Sequence, residues 1–297
     1  GARRQLLHET VGPGVSAMGV RMAHDKSAAA QLLGRLGLPV PRQALAFEAE
    51  SAAKVATAIG YPVVVKPRHG SKSRNVFVDL GDAGAVHKAF ARAVAGDDSV
   101  VVEELLQGRH YRLLVAGGLL IGAVRRHRPR VSGDGHSTVA QLVAVLNQDP
   151  RRGTRDGPGR LHRIKLDDAL DTSLRAQGLS LESVPATGVV VILNAMGAVL
   201  GGGTTEDVTD RVHPDNRQMA LDAAGALGLD IAGIDYIGAD ISQSWRKVGG
   251  GIHDINQNPG LRVHWAADNC RRDLVNPILD AMLGQAGPMR VPTVAVG

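Results

Sequence analysis

The 297-residue chain is short of several things, and each shortage closes a class of explanation. It has one cysteine, Cys270, so it can form no internal disulfide and no all-cysteine zinc site. That fits a reducing compartment, and a cytoplasmic location is expected. Aromatic residues are 3% of the chain against 44% apolar residues overall. The core must therefore be built from Ala, Val, Leu and Ile, and stacking platforms for nucleic-acid bases are nearly missing. No apolar run approaches the roughly 18 residues that span a membrane. The basic N-terminus is followed by no apolar signal core. No Gly-Lys-Ser/Thr run opens a helix, so there is no Walker-type phosphate loop.

What is present is basic: 34 Lys and Arg against 29 Asp and Glu give a net charge of +5. The cations recur at 66–74, 125–130, 151–165 and 262–272 rather than in one block. Anionic partners are favoured, and scattered clusters suit phosphates and carboxylates converging on one cleft. Nucleic-acid binding rests on charge alone, and neither a nucleic-acid nor a membrane partner is expected.

The pattern predicts helices over residues 27–36, with Leu32, Leu33 and Leu36 on one face, and over 48–59, 82–95, 137–147, 167–177 and 215–227. Gly37, Pro39 and Pro41 follow the first of these and stop it. Strands are predicted around Val63-Val64-Val65 and Val100-Val101-Val102, and at 76–80, 188–193, 231–237 and 251–256. A hairpin over 111–124 turns at Gly117-Gly118, and 150–160, rich in Arg, Gly and Pro, reads as an exposed loop. Strands and helices mixed without strict βα repetition give an α+β, or mixed α/β, protein.

Three groups of residues carry chemistry. In Gly251-Ile252-His253-Asp254-Ile255-Asn256, a period of two puts Asp254 and Asn256 on one strand face. Asp235 stands inside an apolar strand, where an unpaired carboxylate is costly, and Asp240 lies further along the same segment. Two carboxylates and an amide oxygen are a hard, oxygen-only set that suits Mg²⁺; a turn before Pro259 is the plain alternative. Lys66 leaves a strand just before His69-Gly70-Ser71-Lys72-Ser73-Arg74, where backbone N–H groups can cradle phosphates. A solvated loop would look the same. Glu103, Glu104 and Leu105 end another strand near Arg109-His110-Tyr111-Arg112, a place able to hold adenine and ribose.

In this order the three groups resemble the ATP-grasp superfamily. The resemblance narrows with Asp25-Lys26, Gly133-Asp134-Gly135-His136-Ser137-Thr138, Asn147-Gln148-Asp149-Pro150-Arg151-Arg152-Gly153, Gly202-Gly203-Thr204 and His213-Pro214-Asp215-Asn216. Together these look like the central ATP-grasp region of cyanophycin synthetases. The resemblance implies a fold with ATP between two α+β lobes over residues 1–285. About 26–106 would be the small or lid lobe, about 125–185 a family-specific insertion, and about 186–285 the metal-binding lobe. Residues 286–297 resemble the start of a Mur-ligase-like domain, so a stand-alone relative or a fragment is expected, with that unit fused or in another chain. A homo-oligomer is expected on the same ground.

The implied reaction is ATP-dependent carboxylate–amine ligation through an acyl phosphate, acting on amino acids or an acidic peptide. By resemblance Lys26 and Lys66 hold ATP phosphates, Gly70, Ser71, Lys72 and Ser73 cover them, and residues 102–105 with His110 hold adenine and the hinge. Asp254, Asn256 and either Asp235 or Asp240 carry Mg²⁺. Arg112, Arg151 and Arg152 are the candidates for the substrate carboxylate or acyl phosphate. The chain departs from the pattern in three places. The covering loop is poor in glycine, Asp254 replaces a longer Glu, and His110 replaces an Asp. These departures keep a second reading open, that of a degenerate domain which binds nucleotide as a regulatory or structural module.

Overall fold

The computed structural model describes residues 15–70, 75–94, 98–153, 160–194, 201–267, 269–270 and 272–283. The expected tail at 286–297 lies outside them.

Helices α1 (Ala17–His24) and α2 (Lys26–Arg35) lead into β1 (Gln43–Ala46), α3 (Ala49–Ile59), β2 (Val63–Pro67), β3 (Phe77–Leu80), α4 (Ala83–Ala93) and β4 (Val100–Glu104). The strands form an antiparallel sheet in the order β1-β4-β2-β3. Alternation along the valine-rich strands decides what each face does. Val63, Val65, Val100 and Val102 pack on Ala52, Ala56, Val86 and Phe90 of the two helices. Val64, Lys66, Val101 and Glu103 are left on the other face. The prediction that Leu36 shares the buried face with Leu33 fails: Leu33 is 1% exposed and Leu36 58%. Leu36 caps the helix, and Gly37, at φ +74°, turns the chain there.

The second half begins with β5 (Arg109–Ala116) and β6 (Leu119–His127), the expected hairpin, turning at Gly117-Gly118 but longer at both ends. Then come β7 (Arg130–Ser132), α5 (Val139–Leu146), β8 (Arg152–Gly153), β9 (Leu161–His162), α6 (Asp168–Arg175), β10 (Val190–Ile192) and β11 (Thr204–Asp207). They are followed by α7 (Pro214–Ala226), β12 (Ile231–Gly238), α8 (Trp245–Val248), β13 (Gly251–Asn256), α9 (Arg262–Trp265) and α10 (Val275–Leu283). A five-stranded antiparallel sheet runs β11-β6-β5-β12-β13. Its core face, with Leu113, Val115, Ile234, Tyr236 and Ile252, packs on Met219, Ala220 and Ala223 of α7. A smaller core gathers Val131, Val139, Val143, Leu170, Leu174 and Val191 around the β7–β10 pair.

Residues 150–160 were expected to be an exposed loop; 154–159 lie outside the described residues, and Pro150, Arg151 and Arg160 are exposed. Arg152 is instead buried in β8, which pairs in parallel with β9. Among the described residues no helix is long and apolar enough to cross a membrane.

Candidate active site

The cleft lies between the open face of the small sheet and the edge strand β13 of the large one. It encloses about 300 Å³, open solvent included, and Lys26, Gln43, Glu103, His253 and Asp254 line it. Lys66 reaches across it from β2. Its Nζ lies 2.7 Å from Glu103 Oε2 and donates to the His253 carbonyl oxygen at 3.1 Å. Burial pushes the Glu103 carboxyl above its ordinary pKa, and the Lys66 charge offsets only part of that.

At the N-terminus of α2, Asp25 does two jobs. Its Oδ1 accepts from the backbone N–H groups of Ser27 and Ala28, capping the helix. Its Oδ2 accepts from Arg68 Nε and Nη2 at 2.9 and 2.7 Å. Lys26 then donates its backbone N–H to Arg68 O and its Nζ to Gly70 O at 2.8 Å. The helix start is thus pinned to the segment leaving β2. Ser71, Lys72 and Ser73 lie outside the described residues.

Deeper in the large sheet, Asp235 pairs in register with Asp254 on one side and Arg112 on the other. Arg112 holds it with two bonds, Nε to Oδ1 at 2.5 Å and Nη2 to Oδ2 at 2.7 Å. Arg126 Nη2 adds a third contact at 3.0 Å. Gly233 makes room for this: a Cβ there would stand 2.7 Å from Arg112 Nη1 and 2.8 Å from Pro259 Cβ. Burial acts against the Asp235 charge, yet the two guanidiniums hold its carboxyl well below the usual range. Asp254 has no such guard. Burial first and Asp235 second raise its pKa, with Lys26 and Lys66 pulling the other way. The Asn256 amide donates to it at 3.4 Å and to Asp235 at 3.5 Å.

Asp254, Asn256 and Asp235 therefore converge. Asp240 instead lies beyond β12, its Oδ1 accepting from Ser242 N and Oγ. Of the two alternatives, Asp235 is the one beside Asp254. Among the described residues no three His, Cys, Asp or Glu side chains gather as a metal site. The set is two carboxylates and an amide, and a half-buried carboxylate that among the described residues accepts only from an amide N–H fits a hard cation that keeps several waters, as Mg²⁺ does.

Of the other expected residues, Arg151, Arg152 and Glu104 stand apart and His110 packs against the cleft wall. Arg151 is tied to Asp149 in its own turn. Arg152 donates through Nη1 to the carbonyls of His162 and Gly202, so its guanidinium braces backbone. Glu104 pairs with Arg42 at the surface, and Leu105 follows it half-buried. His110 packs edge-to-face on His253, with ring centroids 6.1 Å apart, and burial with Arg128 and Arg126 nearby lowers its pKa.

Sequence reasoning missed Arg126 and His253. Arg126 sits in a basic run that gives no hint of a carboxylate one strand beyond its neighbour. His253 was hidden by a β-bulge. A strict period of two places it opposite Asp254, but register shifts between Asp235 and Tyr236. Ile252 and Ile255 both stay in the core, leaving His253 and Asp254 on the cleft side.

The ATP-grasp domain profile matches residues 17–99. Cyanophycin synthetase from Nostoc sp. is 33% identical over 299 residues, taking in 100% of this chain and 33% of that protein. The glutathione biosynthesis bifunctional protein of Clostridium perfringens is 32% identical over 204 residues, 68% of this chain and 26% of its own length. A crystal structure of a bifunctional glutathione synthetase from Pasteurella multocida superposes with a TM-score of 0.64 at 27% identity, covering 94% of this chain and 38% of that one. The chain spans about a third of the length of the cyanophycin synthetases it matches. In fold and in sequence this chain carries an ATP-grasp domain that resembles cyanophycin synthetase.

Proposed function

We propose that the protein is an ATP-dependent carboxylate–amine ligase acting on amino acids or an acidic peptide. A substrate carboxylate oxygen attacks the γ-phosphorus of ATP and ADP leaves; the amine then attacks the acyl carbon and phosphate leaves. The observation that carries this reading is the convergence of Lys26, Lys66, Glu103 and Asp254 on one cleft from four different elements. The relatives in cyanophycin and glutathione synthesis support it.

The residues mainly position and neutralise charge, as phosphoryl transfer requires. Lys26 and Lys66 face the phosphates from the helix and the small sheet. Asp254, Asn256 and Asp235 would hold Mg²⁺, which neutralises charge building on the phosphate oxygens when bound. Arg112 and Arg126 keep Asp235 ionised and stand ready for an anionic group beside it.

One observation favours the second reading, a nucleotide-binding module without turnover. Lys66 is already paired with Glu103, and Asp235 with two guanidiniums, so the site as it stands is largely self-neutralised. Phosphate release from Mg²⁺–ATP, screened over single amino acids and short acidic peptides, separates the two. Ligation requires release that depends on both an amine and a carboxylate and is matched by an amide product in the mass spectrum. Tight ATP binding with no release under any pair favours the module.

A further inference from the structure

Gln43 enters the cleft from β1, next to Glu103. The register pairs the two residues directly across β1 and β4, so their side chains share one face with Cβ atoms about 4.5–5.5 Å apart. Both line the cleft. Glu103 is committed through one oxygen to Lys66. Gln43 Oε1 is buried and accepts no hydrogen bond among the described residues. A buried amide oxygen without a donor costs free energy that a ligand N–H would recover.

We propose that Gln43 reads the nucleobase. With Glu103 it makes two neighbouring acceptors, and one group that satisfies both is an amine carrying two N–H bonds. The exocyclic amine of adenine is such a group. A keto oxygen in the same place would face the Glu103 carboxylate, and Gln43 could meet it only by turning its amide over to donate, so the pair favours an amino-purine over an oxo-purine. This rests on the reading of the cleft as a nucleotide site and adds to it a residue that sets which nucleotide enters. The plain alternative is that Gln43 fills the end of an edge strand and is met by water. Then its loss would affect all nucleotides alike, or none.

The test is calorimetric titration of the full chain with ATP and with inosine triphosphate, which carries a keto oxygen where ATP carries the amine. The native protein is expected to prefer ATP. Gln43→Leu, close to isosteric at a half-buried position, should weaken ATP about five- to tenfold and inosine triphosphate clearly less, narrowing the preference. Gln43→Asn keeps the amide but shortens its reach, and should shift the ratio in the same direction. It serves if the leucine variant melts early. Equal losses for both nucleotides, or no loss for either, overturn the proposal. So does an effect confined to the Michaelis constant of the amine substrate. Failure of the native protein to bind either nucleotide overturns the nucleotide reading first, and is seen before any variant is compared.

Discussion

Lys66 Nζ on the small sheet donates to the carbonyl oxygen of His253 on the large one, 187 residues further along the chain. The same ammonium is the counter-charge of buried Glu103. One side chain therefore joins the two walls of the cleft and keeps one of them from carrying a lone buried charge.

Removing that ammonium separates its two roles. Lys66→Met should abolish nucleotide binding and cost about 3–5 kcal/mol of stability, the usual penalty for orphaning half of a buried pair. Lys66→Met with Glu103→Leu should recover most of the stability and none of the binding. Urea unfolding and ATP titration of both variants check this. A double variant no more stable than the single one would mean that the pair is not what holds the sheets.

Asp254→Asn tests the metal side. The folded pKa of Asp254 lies above its ordinary value of 3.8. The stability it contributes is therefore full below 3.8 and lost as pH rises through the elevated folded value. Above that folded value, without Mg²⁺, the native protein carries a carboxylate the fold disfavours. The asparagine variant should there be at least as stable, with a flatter stability–pH profile, yet without turnover. Melting curves from pH 4 to 8, with and without Mg²⁺–ATP, read the stability, and phosphate release reads the turnover. A variant less stable than the native protein at every pH would remove Asp254 from that role.

Much of the site could be read from the sequence because it sits on strands whose apolar neighbours fix their faces. Val63-Val64-Val65 puts Lys66 on the cleft face, and the apolar run around Asp235 makes that carboxylate stand out. Pairing between distant strands left no such trace. Nothing near Asp235 says that Arg112, 123 residues earlier, will take both its oxygens. The choice between Asp235 and Asp240 needed the register of β12 on β13. Arg152 looked like a solvated loop cation because the carbonyls it braces, at His162 and Gly202, are adjacent only in the fold. The short strands β1 and β11 carry too few residues to show a period.

Gly233→Ala tests whether the bidentate Arg112–Asp235 pair needs the space beside it. The added Cβ would meet Arg112 Nη1 and Pro259 Cβ at under 3 Å, so the guanidinium must shift. A loss of about 1–3 kcal/mol is expected from overpacking a filled site, with a larger fall in turnover than in ATP affinity. Chemical denaturation and steady-state kinetics measure the two. Unchanged kinetics would show that Arg112 serves the fold alone.

Asp25 separates a helix cap from an ion pair. Asparagine caps about as well as aspartate, so Asp25→Asn should keep the bonds to Ser27 and Ala28 and lose only the charge held against Arg68. Asp25→Ala loses both and should be less stable than Asp25→Asn by about 1 kcal/mol. The Asp25 pKa is lowered: burial raises it, and the Arg68 bonds with the Ala28 N–H outweigh that. Its contribution is thus present above 3.8 and fades as pH falls through the depressed folded value. The native protein and Asp25→Asn should differ at pH 7 and converge in acid, while the gap to Asp25→Ala persists until the carboxyl protonates and its capping weakens. Since Arg68 O and Gly70 O both accept from Lys26, freeing Arg68 should also loosen Lys26. ATP affinity should then fall in Asp25→Asn although the helix is intact. Native ATP affinity in that variant would mean that Lys26 is placed by the helix alone.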